Sequence, residues 1–70
     1  MFKEPLLVVI NQTSYTLPHG ASLADAVAIA EVKPPFAAAV NLQFVPRDQY
    51  KQHALANHDR IELISAITGG

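Results

Sequence analysis

The carboxyl end of this chain is its most unusual chemical feature. An apolar run typical of a strand ends at Thr68 and is followed by Gly69, Gly70 and the terminal carboxylate. Glycine is a poor strand residue and contributes no side chain to a core. Packing therefore gives no reason for this ending, which offers one carboxylate on a segment without side-chain bulk.

The other reactive side chains do not form a recognisable catalytic or metal-binding pattern. His53 and His58 are near each other in sequence, but His19 is distant and the chain has no cysteine. We therefore expect solvent-exposed histidines rather than a metal site. Asp48 and Asp59 are isolated carboxylates without an evident partner, so they predict no acid–base pair.

Composition narrows the class of partner. The 70 residues, half of them apolar, allow a single domain with one core. Five Lys and Arg residues balance six Asp and Glu residues, which argues against duplex DNA or an anionic membrane. Tyr50, near Arg47 and Lys51, could stack on a nucleobase, but the balanced charge favours a structural tyrosine beside a solvated loop. We therefore expect no nucleic-acid partner and no membrane partner.

The sequence contains no evident targeting signal. No apolar run approaches the ~20 residues of a membrane span, and the apolar run after Pro5 is too short for a secretory signal. The lack of cysteine removes both a disulfide framework and thiolate chemistry. A cytoplasmic protein is the simplest prediction.

The pattern of apolar residues predicts a β-β-α-β-β-β order. Apolar or alternating runs predict strands at 6–10, 14–17, 36–40, 42–45 and 60–67. Ser22 is a favoured helix N-cap with Asp25 in the first turn, and apolar residues at 23, 26, 27 and 30 form one stripe. Residues 33–35 (KPP) end this helix, and residues 47–59 predict a loop with one helical turn. The expected fold class is α+β, with a mixed sheet packed on one helix.

Alternation in the last predicted strand separates two faces. One face carries Ile61, Leu63, Ser65 and Ile67, and the other carries Arg60, Glu62, Ile64 and Ala66. Because Arg60 and Glu62 are charged, we expect the second face to be exposed. Ile64 and Ala66 are then either single exposed apolar residues, which are common, or a docking patch beside the terminus.

The element order, the size and the Gly-Gly end resemble the ubiquitin-like β-grasp proteins. Within that group, the segment AVNLQFVPRDQY (39–50) is similar to the VN-xxx-VPR segment of the ThiS family, the sulfur carriers of thiamine (thiazole) biosynthesis. The segment HDRIELISAITGG (58–70) is similar to their closing strand and tail. The resemblance extends from Leu6 onward, leaves residues 1–5 as a small extension, and finds Tyr50 where many relatives have Trp. It implies one β-grasp domain over residues 1–70, with a flexible tail at 68–70.

The resemblance also implies a chemistry for the tail. In that family a partner enzyme uses ATP and magnesium to adenylate the terminal carboxylate, sulfur displaces AMP, and the thiocarboxylate passes its sulfur to thiazole synthase. Gly70 would carry the sulfur here, on a tail that includes Thr68 and Gly69 and spans roughly 10 Å when extended. Two glycines allow passage through a narrow channel. The chain would then bind no cofactor and would be a protein co-substrate rather than an enzyme.

The implied partners are an adenylating enzyme, thiazole synthase and a sulfur-donor system. We expect Ile64, Ala66, Val45, Pro46 and Arg47 to contribute to partner binding. The segment 45–47 has a plainer interpretation too, in which a proline ends a strand and an arginine lies in solvent.

Three other functions remain open at this point. A small subunit of molybdopterin synthase would use the same tail within a stable complex, and would co-purify with a different synthase. A ubiquitin-like modifier would form covalent ladders on target lysines. A plain β-grasp interaction domain would show no ATP-dependent change at Gly70.

Overall fold

A computed structural model describes residues 4–65 of the chain, and these residues form one five-stranded sheet and one helix. The elements are β1 (Leu6–Ile10), β2 (Thr13–Leu17), α1 (Leu23–Ala30), β3 (Phe36–Val40), β4 (Gln43–Val45), a 3₁₀ turn (Arg47–Gln49) and β5 (Arg60–Ser65). The predicted order and the α+β class are confirmed. The predictions for Ala66, Thr68, Gly69 and Gly70 lie outside the described residues.

The sheet is mixed, with the strand order β2-β1-β5-β3-β4. β1 and β5 run parallel at its centre, while the pairs β1–β2, β3–β5 and β3–β4 are antiparallel. The last strand of the sequence therefore lies in the middle of the sheet, between strands from the two halves of the chain.

Both antiparallel hairpins turn through two residues with positive φ. The values are 49° and 70° for Asn11 and Gln12, and 51° and 71° for Asn41 and Leu42. Two consecutive positive φ angles are the geometry of a type I′ turn, whose twist matches that of the flanking strands and whose first position suits asparagine. Leu42 was expected in a strand but occupies the second turn position, so β4 begins at Gln43.

One face of the sheet and one face of the helix enclose the core. Its buried apolar residues are Leu6, Val8, Ile10, Leu17, Ala21, Leu23, Ala26, Ala38, Val40, Val45, Tyr50, Leu55, Ile61 and Leu63. The alternation predicted for the last strand is confirmed over the described residues, since Ile61 and Leu63 are buried whereas Arg60, Glu62 and Ile64 are exposed. Because the helix covers only one side, the opposite side of the sheet carries the alternate residues of each strand.

The helix begins at the predicted cap. The Ser22 hydroxyl accepts a hydrogen bond from the Asp25 amide, and the Asp25 carboxylate accepts one from the Ser22 amide, which forms a capping box. The helix ends at Ala30, before the predicted KPP stop. Glu31 takes the left-handed conformation there, with φ of 57°, and its amide bonds to the Val27 carbonyl.

Candidate functional site

The side of the sheet that faces away from the helix carries an exposed apolar surface. Ile64 is 60% exposed and Phe44 is 69% exposed. Ala37 pairs with Ile64 across β3 and β5, and Ala39 pairs with Phe44 across β3 and β4. Since paired residues point to the same side of a sheet, these four residues form one surface, which we call the sheet patch.

The predicted exposure of Ile64 is confirmed, and sequence reasoning missed its neighbours. The buried positions of β3 are Ala38 and Val40, so the alternation that defines them also places Ala37 and Ala39 on the other side. That signal was present in the sequence for the alanines. Phe44 was harder to place, because β4 has three residues and too few positions to reveal an alternation.

Charged residues border the sheet patch within β5. Glu62 pairs with Ala39 on β3, and Arg60 pairs with Val9 on β1. Both charged side chains are exposed on the same side of the sheet as Ile64. Along β5 the surface thus changes from charged at Arg60 and Glu62 to apolar at Ile64, while across the sheet Ala39 and Phe44 lie level with Glu62.

The sheet patch reaches the end of the described part of β5. Ile64 and Ser65 are the last described residues of β5, and Ser65 pairs with Phe36 at the start of β3. Gly70 follows Ser65 after four intervening residues. The sheet patch thus includes a residue, Ile64, that precedes Gly70 by six positions in the sequence.

The segment 45–47 lies at this same end of the sheet, but its three residues differ in accessibility. Val45 pairs with Ala38, is 4% exposed and belongs to the core. The prediction that Val45 contacts a partner is therefore corrected: its side chain stabilises the fold and is not available at the surface. Pro46 is half-buried and Arg47 is exposed, so these two remain candidates for partner binding.

Tyr50 has the structural role that we predicted from the balanced charge of the chain. It is 9% exposed, and its ring stacks on that of Phe36 with the centroids 6.1 Å apart and the planes at 13°. The carbonyls of Tyr50 and His53 accept hydrogen bonds from the amides of Ala24 and Leu23, at 3.0 and 2.9 Å. The loop thus satisfies amides in the first turn of the helix, which would otherwise lack partners.

Within residues 4–65, no group of three or more His, Cys, Asp or Glu side chains is placed to hold a metal ion. A groove of about 470 Å³ crosses β5 between the two hairpin turns, with Asn11, Asn41, Arg60 and Glu62 among its lining residues. It contains no nucleophile beside a general base. Across the same residues, no helix is long and apolar enough to cross a membrane.

Comparisons with known proteins agree with this architecture. A model of the ThiS family matches residues 8–70. A solved structure of a thiamine biosynthesis protein (ThiS) from Geobacter metallireducens superposes with a TM-score of 0.75 at 13% sequence identity, covering 93% of this chain and 100% of that one. A search of curated proteins found no match. At this identity the structural likeness shows the fold alone, whereas the family match rests on the sequence.

The fold and the surface around β5 together define a ubiquitin-like β-grasp protein. The chain belongs to the ThiS family of ubiquitin-like sulfur carriers. Membership assigns it a sulfur-carrier role in thiamine biosynthesis. It also implies interaction with an adenylating enzyme and with thiazole synthase in general, and ThiS proteins are carriers rather than catalysts.

Proposed function

We propose that this chain carries sulfur as a thiocarboxylate on Gly70. The observation that supports this most directly is the exposed apolar surface at Ile64, which precedes Gly70 by six positions in the sequence. Docking through the sheet patch holds the body of the carrier while the terminal residues reach into a partner. A tail of two glycines fits a narrow passage and accepts backbone dihedrals that other residues avoid.

Activation of the carboxylate is the first chemical step. A carboxylate is a poor electrophile because it has no leaving group. The partner enzyme, with its own ATP and magnesium, converts Gly70 to an acyl-adenylate and releases pyrophosphate. A sulfur nucleophile at the oxidation level of sulfide then attacks the acyl carbon, the C–O bond to AMP breaks, and the thiocarboxylate forms.

Delivery of the sulfur restores the carrier. Thiazole synthase takes the sulfur from Gly70 during ring construction. The C–S bond breaks as the acyl carbon gains an oxygen from water or from the sulfur acceptor, and the resulting carboxylate is ready for another cycle. The residues of this chain supply a docking surface and an attachment point. The sulfur stays on the backbone terminus throughout, so a side-chain thiol is not needed on a chain that has no cysteine.

Truncation at the terminus tests this role. Removing Gly70 should abolish ATP–pyrophosphate exchange by the adenylating enzyme of the source organism, because the carboxylate no longer reaches the reacting phosphate. The melting temperature should be unchanged, since the last buried residue of the described core is Leu63. The matched variant Gly70→Ala keeps the carboxylate in place and should retain reduced exchange. Undiminished exchange by the truncated chain would overturn the proposal.

A further inference from the structure

The Asn11 side chain lies beside β5 at the point where the neighbouring strand β1 ends. β1 pairs with β5 only through Val9–Arg60 and Ile10–Ile61, and its last backbone bond to β5 runs from the Asn11 amide to the Ile61 carbonyl at 3.0 Å. The chain then turns away into β2. On this side of β5, the backbone of Leu63 faces the position that a longer β1 would occupy.

The Asn11 side chain fills that position. Its Oδ1 accepts a hydrogen bond from the Leu63 amide at 2.9 Å, and its Nδ2 donates to the Leu63 carbonyl at 3.1 Å. A side-chain amide with one acceptor and one donor thus replaces the peptide unit of a neighbouring strand. Both bonds are partly buried, and they join residues 52 positions apart in the sequence.

The Asn11 bonds act on Leu63, a residue near the end of the described part of β5. Its side chain is buried with 5% exposure, whereas Ile64, which follows it, is 60% exposed. The backbone of Leu63 is thus held by Asn11 on the β1 side and its side chain is held by the core, while Ile64 and Ser65 beyond it pair with β3. Gly70 follows Leu63 by seven positions in the sequence.

We propose that Asn11 is a positioning residue for the reaction at Gly70, and that it acts by holding the later part of β5 in place at Leu63. This inference rests on the proposed function. Loss of the Asn11 bonds removes a restraint on the end of β5 that adds to its pairing with β3, so we expect fewer docked complexes to place the carboxylate in line with the nucleotide. We expect this misplacement to lower kcat for adenylation, because a small displacement of a reacting group lowers the reaction rate strongly.

The second hairpin supplies a matched control. Asn41 occupies the same turn position, with φ of 51° against 49° for Asn11. Its side chain also makes two hydrogen bonds to the region of β5, from the Arg60 amide at 3.0 Å and to the Asp59 carboxylate at 2.9 Å. These bonds hold the start of β5, whereas those of Asn11 hold its later part.

The test compares Asn11→Gly with Asn41→Gly, because glycine accepts the positive φ and removes only the side-chain bonds. Both variants should melt at similarly lowered temperatures. Amide hydrogen exchange at Leu63 should accelerate in Asn11→Gly alone. In ATP–pyrophosphate exchange with the adenylating enzyme, kcat should fall about tenfold in Asn11→Gly with KM within about twofold of wild type. Asn41→Gly should keep both constants.

A third variant separates positioning from folding. Asn11→Asp retains the oxygen that accepts from the Leu63 amide and tolerates positive φ, so it should recover part of the lost kcat. Equal kcat in Asn11→Gly and Asn41→Gly would overturn the positioning role, as would a loss confined to KM. No exchange with the wild-type chain would instead refute the proposed function, and the positioning role with it.

Discussion

Ala37 and Ile64 lie directly opposite each other in the antiparallel pairing of β3 and β5, on the side of the sheet that the helix does not cover. The small side chain of Ala37 leaves the Ile64 side chain 60% exposed. Ile64 thus projects from the surface one residue before the end of the described strand. The pairing of Ala37 with Ile64 therefore places an exposed apolar side chain six positions before Gly70 in the sequence.

Replacing Ile64 by glutamate should weaken binding to the adenylating enzyme by about 2 kcal/mol, because a carboxylate would enter the centre of an apolar contact. Stability should change by only about 0.5 kcal/mol, since the residue is exposed. Isothermal titration of the variant and its unfolding in urea measure the two effects.

The matched control is Ile29→Glu, which places the same change at a residue that is 44% exposed on the helix. This variant should bind the adenylating enzyme as wild type does. Unchanged affinity in Ile64→Glu, or an equal loss in both variants, would show that the sheet patch is not the docking surface.

The two faces of β5 could be assigned from the sequence alone. The alternation of charged and apolar residues from Arg60 to Ile64 is sufficient to assign both faces of β5, because one side of a sheet strand must enter the core. The helix start was equally predictable, since Ser22 and Asp25 form a local capping box. These features depend on residues close together in the chain.

Features that depend on distant pairing were not predictable. Val45 was expected to contribute to partner binding as part of the VPR segment, yet its pairing with Ala38 places it in the core. The bonds between Asn11 and Leu63 depend on where β1 ends relative to β5. Leu42 gave no turn signal, because leucine rarely takes positive φ.

Replacing Leu42 by glycine should stabilise the protein. A side chain with a Cβ at φ of 71° is strained by about 1–2 kcal/mol, and glycine relieves this strain at an entropic cost of about 0.5–1 kcal/mol. Leu42→Gly creates the Asn-Gly sequence preferred in type I′ turns. We expect the free energy of unfolding to rise by about 0.5 kcal/mol, measured by urea denaturation.

The control for this prediction is Leu42→Ala, which shortens the same side chain, 87% exposed, but keeps its Cβ. It should leave stability close to wild type. A stability of Leu42→Gly at or below that of Leu42→Ala would mean that the turn conformation is not a source of strain.

Tyr50 should prove structural rather than ligand-binding. Tyr50→Ala removes the ring that stacks on Phe36 and should cost about 3–5 kcal/mol, as for other buried aromatic residues. In a domain of this size, such a loss removes most of the stability. Tyr50→Phe keeps the stacked ring and should remain folded, with adenylation kinetics close to wild type. Thermal unfolding and ATP–pyrophosphate exchange measure both variants, and a folded Tyr50→Phe that has lost adenylation would contradict this role.

Intact-mass spectrometry of the protein isolated from its source organism tests the central claim most directly, because replacing a carboxylate oxygen by sulfur adds about 16 Da. We predict a population heavier by this amount, with the added mass in the peptide that ends at Gly70 and lost after reaction with thiazole synthase. The added mass should be absent from a chain that lacks Gly70. An added mass located in any other peptide, or a Gly70 peptide that stays unmodified after incubation with the adenylating enzyme, ATP and sulfide, would contradict the account.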